Sequence, residues 1–256
     1  IADTEALGHR PAYNRAFREL GLPFRWGPKL YRKLLQQPGG RERLKYYFLH
    51  YRPALGEHEP EATANLDAWV GRVHELKSRY FRRYMRHGRI PLRPGVARLM
   101  REAREAGLKL AIVTNASRKT LEPVLKYSLG PEMLAEIAVI ASGEEVKNKK
   151  PASDIYELAL RRLALTPSDC VALEDSEMGL RAASAAGIAA VVTVNADTVT
   201  QDFSRAALVV GSLGEPAVPT RVIKGKLAGH GWVTIDALTP LCEPPHEEQI
   251  SRTRVA

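Results

Sequence analysis

Cysteine is nearly absent: only Cys170 and Cys242 occur in 256 residues. That scarcity excludes a disulfide framework and the clustered spacing of a zinc site. Long apolar runs are missing as well, and none approaches the roughly 20 residues a membrane helix needs. No secretory signal pattern is visible. No internal repeat, RNA-binding signature or dense lysine–arginine block occurs. These absences point to a cytoplasmic protein with no membrane partner. Methionine is also scarce, and the first is Met85. The chain opens on Asp3-Thr4-Glu5, which already reads as a helix cap, so we expect the natural start to lie upstream of Ile1.

Charge is what the sequence does have. The net charge is +9, and residues 4–90 hold 18 lysines and arginines against 8 acids. The remainder is close to neutral. A basic region serves nucleic acid or covers an anionic small molecule. With no nucleic-acid motif beside it, the small anion is the favoured reading.

Residues 4–88 read as a small helical bundle. Residues 4–20 have helical spacing, with Pro11 arguing for a kink or break. Leu30, Tyr31, Leu34 and Leu35 line a helix over 28–37. Pro38-Gly39-Gly40-Arg41-Glu42-Arg43 then opens the next helix. Glycines at a helix N-terminus leave N–H groups open to an anion, and Arg41 and Arg43 add guanidinium forks. A plain helix-to-helix turn with two exposed arginines explains the same residues. After a loop at 53–60, one long helix is expected from about Glu61 to Met85. Lys77, Arg79, Arg82, Arg83 and Arg86 lie on it, mostly as a solvated face.

From Arg89-Ile90-Pro91 onward helix and strand alternate, which predicts a parallel sheet with crossover helices. Strand 108–114 ends in Thr114-Asn115-Ala116-Ser117, and strand 137–141 follows. Lys147, Lys149 and Lys150 crowd the loop before Pro151, and Ser153-Asp154 reads as a helix cap. Strand 170–174 delivers Glu174 and Asp175 side by side, ahead of Ser176 and Gly179. Adjacent carboxylates at the tip of a buried strand fit Mg2+, which takes one or two carboxylates plus waters and a phosphate. Asp175 or Ser176 acting only as a helix cap is the plainer alternative. Strands at 188–194 and 208–210, an edge strand at Trp232-Val233-Thr234-Ile235, a helical turn at 236–241 and a disordered tail, 242–256, complete the expectation.

With these residues in view the chain resembles the haloacid dehalogenase superfamily. Thr114 looks like the second motif of that family. Lys150, in Lys150-Pro151-Ala152-Ser153-Asp154-Ile155-Tyr156, looks like the third. Glu174-Asp175-Ser176 with Gly179 looks like the fourth. The basic helical third resembles the family's mobile cap. Asp3-Thr4-Glu5, His9-Arg10 and the glycine turn are similar to the CbbY branch, which contains phosphatases of sugar bisphosphates such as xylulose 1,5-bisphosphate. The turn reads Pro38-Gly39-Gly40-Arg41, where that branch more often has Thr and Lys around the glycines.

The resemblance implies an α/β fold, a Rossmann-like parallel sheet core with an inserted helical cap. The cap would span 4–90, and the core 1–3 with 91–241. It also implies a Mg2+-dependent phosphatase of a small-molecule sugar phosphate, monomeric and with no nucleic-acid partner. Lys150 and Thr114 would hold the transferred phosphate, and Glu174 and Asp175 the metal. Glu5, His9, Gly39, Gly40, Arg41, Arg43, Lys77, Thr114 and Asn115 are the candidate substrate contacts. The family's first motif, D-x-D-G-T, carries its aspartate nucleophile, its acid/base aspartate and its central strand. We expect it immediately before Ile1, and expect the chain as given to be inactive without it. A phosphomutase and a non-catalytic phosphate-binding protein are the alternatives.

Overall fold

The computed structural model describes residues 2–37 and 39–242. Of the expected tail, 242–256, residues 243–256 lie outside the described residues. Contacts divide the chain into two compact units. One comprises Ile1–Arg93 with Lys119–Pro131, and the other Pro94–Arg118 with the chain from Glu132 onward.

Pro11 shapes the first helices. It has no N–H to donate back into the preceding turn. The chain runs as a π-turn over Thr4–His9 and becomes regular only in α1, Arg10–Glu19, with the proline in its first turn. Helices α2 (Pro28–Leu34), α3 (Gly40–Tyr51), α4 (Glu59–Ala64) and α5 (Leu66–Arg86) follow. The single long helix expected from Glu61 is therefore two. Asn65 breaks it with extended backbone (φ −153°), and its side chain accepts from Ala68 N–H at 3.0 Å to start α5. That cap satisfies an orphan donor. Tyr13, Phe17, Trp26, Tyr31, Tyr47, Phe48 and Trp69 form an aromatic core among these helices. The Phe17–Trp26 and Trp26–Tyr47 rings meet edge-on, each pair at 5.1 Å. Such pairs add about 0.5–1.5 kcal/mol beyond area burial.

The helical unit also claims the chain's first residues, expected with the sheet. Ala2 forms an antiparallel bridge to Leu92, and Asp3 lies 3.4 Å from Arg93. Helix α6 (Val96–Glu105) begins the other unit, followed by strand β1 (Leu110–Thr114). Helix α7 (Arg118–Val124) and a π-turn at Leu125–Leu129 lead into α8 (Gly130–Ala135). Ser128 Oγ donates to the Ile90 carbonyl, tying this segment to the helical unit.

Strand β2 (Ile137–Ser142) pairs parallel with β1. Helix α9 (Asp154–Leu163), β3 (Val171–Glu174), α10 (Glu177–Ala185), β4 (Ala189–Thr193) and β5 (Leu208–Val210) come next. Strands β3, β4 and β5 are parallel, and β6 (Val222–Lys224) adds antiparallel to β5. Among the described residues β1–β2 and β3–β6 form two sheets. Val191, Val192 and Val210 are fully buried, each contributing about 1.5–3 kcal/mol by removal from water. Alanines 182 and 183 let α10 pack closely beneath.

The strand expected at Trp232–Ile235 is absent. The Val233 carbonyl is instead taken by the buried Arg98 guanidinium, which also reaches the Leu213 and Gly214 carbonyls. Thr234 caps the short α11, Ile235–Leu238.

Candidate active site

Thr114 and Glu174 are the last residues of β1 and β3, the carboxyl ends of parallel strands where open α/β sheets bind ligands. Lys150 joins them. Its Nζ donates to the Val113 carbonyl at 3.0 Å and to Glu174 Oε1 at 2.5 Å. Both side chains of this pair are nearly buried, at 10% and 8% exposure. Tyr156, on α9, donates its hydroxyl to the same Oε1. Burial and the Glu174 carboxylate push the Tyr156 pKa upward, so the hydroxyl keeps its proton.

Asn115 holds Lys150 from the backbone side. Its Oδ1 accepts from Lys150 N–H at 2.9 Å, and its Nδ2 donates to the Lys150 carbonyl at 3.2 Å. Asn115 thus braces the lysine loop. Asp154 acts likewise: it accepts from Asn148 N–H and Nδ2 and does not cap its helix as expected. Thr114 Oγ1 accepts from Ala116 N–H at 3.1 Å, which leaves its own proton available to a ligand.

Ser176, not Asp175, caps α10, accepting from Gly179 N–H at 3.1 Å. Asp175 is half-buried and has no hydrogen-bond or ion-pair partner among the described residues. Gly179 has a steric reason to be glycine. A Cβ there would sit 1.8 Å from Glu174 Oε2. No group of three or more His, Cys, Asp or Glu is assembled among the described residues. The donors present are hard carboxylate oxygens, with one carboxylate open. That set fits Mg2+, which keeps waters and a phosphate in its shell, better than it fits zinc.

The helical unit gathers a second group. Lys77 is 5% exposed, and its Nζ lies 2.8 Å from His9 Nδ1 and over the rings of Tyr13 and Phe81 at 4.8 and 5.4 Å. Burial lowers its pKa to about 8 against the favourable charge of Glu5, with Arg43 lowering it further. His9 stacks on Phe81 at 4.1 Å. Burial, then Lys77, holds it well below the usual imidazole range. Glu5 accepts from Tyr31 and lies 3.6 Å from Arg43.

Arg43 is buried, and its guanidinium donates to the Leu34 and Gln37 carbonyls and to Tyr31. Arg41 is exposed. Gly39 (φ +94°) turns the chain into α3, whose first N–H groups receive no side-chain cap. Tyr13 and His74 press against Gly40. Tyr31 and His74 carried no signal in the sequence beyond helical spacing, whereas Tyr156 stood inside the K-P-x-x-D-x-Y pattern.

The strand-end geometry and the alternating fold define a class, and comparison agrees. Residues 5–187 match the haloacid dehalogenase-like hydrolase model. The chain belongs to the haloacid dehalogenase-like hydrolases and is a phosphoric monoester hydrolase. It is 41% identical over 239 residues to the plasmid CbbY protein of Cupriavidus necator, covering 93% of this chain and 91% of that protein. Among solved structures, phosphate-bound CbbY of Rhodobacter sphaeroides superposes with a TM-score of 0.70 at 37% identity, covering 83% of this chain and 89% of that one. A mutant of that protein in complex with xylulose 1,5-bisphosphate also gives 0.70, at 36% identity, covering 84% of this chain and 91% of that one. No helix among the described residues is long and apolar enough to cross a membrane.

Proposed function

We propose that this protein is a Mg2+-dependent phosphatase of a small sugar bisphosphate, xylulose 1,5-bisphosphate being the first candidate. The observation that carries the reading is Lys150 fixed between Val113 and Glu174, beside Thr114 and the open carboxylate of Asp175. The similarity to a CbbY structure bound to that sugar supports the substrate.

In this reading Lys150 and the Thr114 hydroxyl hold the oxygens of the transferred phosphoryl group. Positioning and electrostatics supply most of the catalysis in such reactions. Asp175, with Glu174 behind it, would hold Mg2+, which when bound neutralises phosphate charge so that a carboxylate can approach phosphorus. In the family the chain resembles, the attacking carboxylate and the acid/base are the aspartates of a D-x-D-G-T motif. In the helical unit, Lys77, the α3 N-terminus and Arg41 recognise the second phosphate, and Glu5 and His9 the sugar.

The test is phosphate release by the full-length protein, with and without Mg2+, from xylulose 1,5-bisphosphate, from a sugar monophosphate and from an aryl phosphate. The bisphosphate should be used best. Arg41→Ala should raise KM for it far more than for the aryl phosphate, and salt should weaken its use, since exposed cation–phosphate contacts are screened. Isomer formation without phosphate release would make the enzyme a mutase. Equal use of all three substrates would remove the second phosphate from the reading.

A further inference from the structure

Tyr156 has a geometry that packing alone does not require. It is 6% exposed within the core of the sheet-bearing unit. A phenylalanine would fill the same volume. Its hydroxyl, however, donates to Glu174 Oε1, the oxygen that also takes Lys150 Nζ. Its ring face lies 4.9 Å from that same Nζ.

Counting donors shows the effect. A lysine ammonium has three N–H groups and no acceptor. One goes to the Val113 carbonyl at 3.0 Å and one to Glu174 Oε1 at 2.5 Å. One remains. Its direction is set only if both acceptors are fixed. The Val113 carbonyl is fixed by its strand. Glu174 could rotate about its terminal torsion, which is broad for a carboxylate. Two things stop it: Tyr156 on Oε1, and the Gly179 backbone against Oε2, where there is no room even for a methyl group.

We propose that Tyr156 is a positioning residue of the phosphoryl-transfer site. Its hydroxyl locks Glu174, Glu174 and Val113 lock Lys150, and the third lysine N–H is thereby aimed at a phosphate oxygen. The inference rests on the phosphatase reading above and adds a residue acting through another. Because the lysine serves the transferred phosphoryl group, the hydroxyl matters equally for every phosphate ester the enzyme cleaves.

The experiment is a double-mutant cycle in the full-length protein, with Tyr156→Phe, Glu174→Leu and the pair; leucine leaves no acceptor for the hydroxyl. It measures kcat and KM for an aryl phosphate and for the sugar bisphosphate, with thermal unfolding alongside. Tyr156→Phe should lower kcat by roughly ten- to a hundredfold on both substrates, with KM changed less than about twofold. In the Glu174→Leu background the same substitution should cost less than about threefold, since the hydroxyl acts through that carboxylate. An unchanged kcat in a folded Tyr156→Phe protein, or an equal loss in both backgrounds, overturns the proposal. If the single variant does not fold, the difference between Glu174→Leu and the double variant decides, because a hydroxyl acting elsewhere would still cost about tenfold there. Failure to cleave the bisphosphate while the aryl phosphate is cleaved would count against the substrate reading alone; the cycle on the aryl phosphate stands apart from it.

Discussion

Lys77 Nζ and His9 Nδ1 lie 2.8 Å apart inside the helical unit. An ammonium only donates, so the imidazole must accept, and His9 is neutral with its proton on Nε2. The depressed His9 pKa agrees, since burial and the neighbouring Lys77 both oppose a second positive charge.

On the proposed reading, the pair should make recognition of the second phosphate pH-dependent. Lys77 titrates near 8 in the folded protein, against 10.5 in an exposed lysine, chiefly because it is buried. As pH rises through 8 the ammonium is lost, and KM for the bisphosphate should rise. Lys77→Met should start with a high KM and show no such limb, which a pH series of KM on both proteins checks. Stability moves the other way. Between pH 8 and 10.5 the unfolded chain binds more protons at this residue, so unfolding free energy should increase with pH there from this residue, and Lys77→Met should lack that increment.

Asp175→Asn separates metal binding from helix capping. Ser176 performs the capping, so the substitution should change unfolding free energy by less than about 0.5 kcal/mol, as at other positions away from packing and caps. Activity should nevertheless be lost and the Mg2+ requirement rise. Near-normal turnover at low Mg2+ would remove Asp175 from the metal's shell.

Gly179→Ala should disable the site without any change of charge. The added methyl meets Glu174 Oε2 at 1.8 Å, so the carboxylate must shift and drag Lys150 with it. We expect a fall in kcat of at least tenfold, since small misplacements of reacting groups are costly. Steady-state kinetics with far-UV dichroism as a fold control tests this; an unaltered kcat would show that Glu174 tolerates displacement.

Lys150→Met should weaken the fold as well as the chemistry. It leaves Glu174 buried with only Tyr156 as its partner. Removing one member of a buried pair costs about 3–5 kcal/mol. Urea unfolding should show that loss as a shifted midpoint with an unchanged slope. Glu174→Gln keeps an acceptor for both donors and should cost less.

Much of the site was legible because it is local in sequence. Glu174 and Asp175 stand at the tip of an apolar run, and Lys150 precedes a proline in a recognisable spacing. The protein partners of Asn115 and Arg43 were not legible in the sequence, because packing sets them. Asn115 is bound to the backbone 35 residues away. Arg43 is bound to carbonyls that α2 and the turn after it leave open, and a free fork and a filled one are written identically. The break at Asn65 was missed because the apolar spacing continues across it, while an Asx cap needs only one residue in extended backbone.

The sequence by itself determined the alternation of helix and strand, the basic character of the first third, and which strands end in chemistry-bearing residues. Period and composition act along the chain, so they can be read along it. Only the tertiary structure decided which of those residues are left open and which are held by the protein. It set Tyr156 and Lys150 on one oxygen of Glu174, left Asp175 open by giving the cap to Ser176, and turned Lys77 inward while Arg79 and its neighbours stayed in solvent. The physical reason is that a buried polar group must find its partner wherever the fold brings one, and that partner is fixed by packing and not by order along the chain.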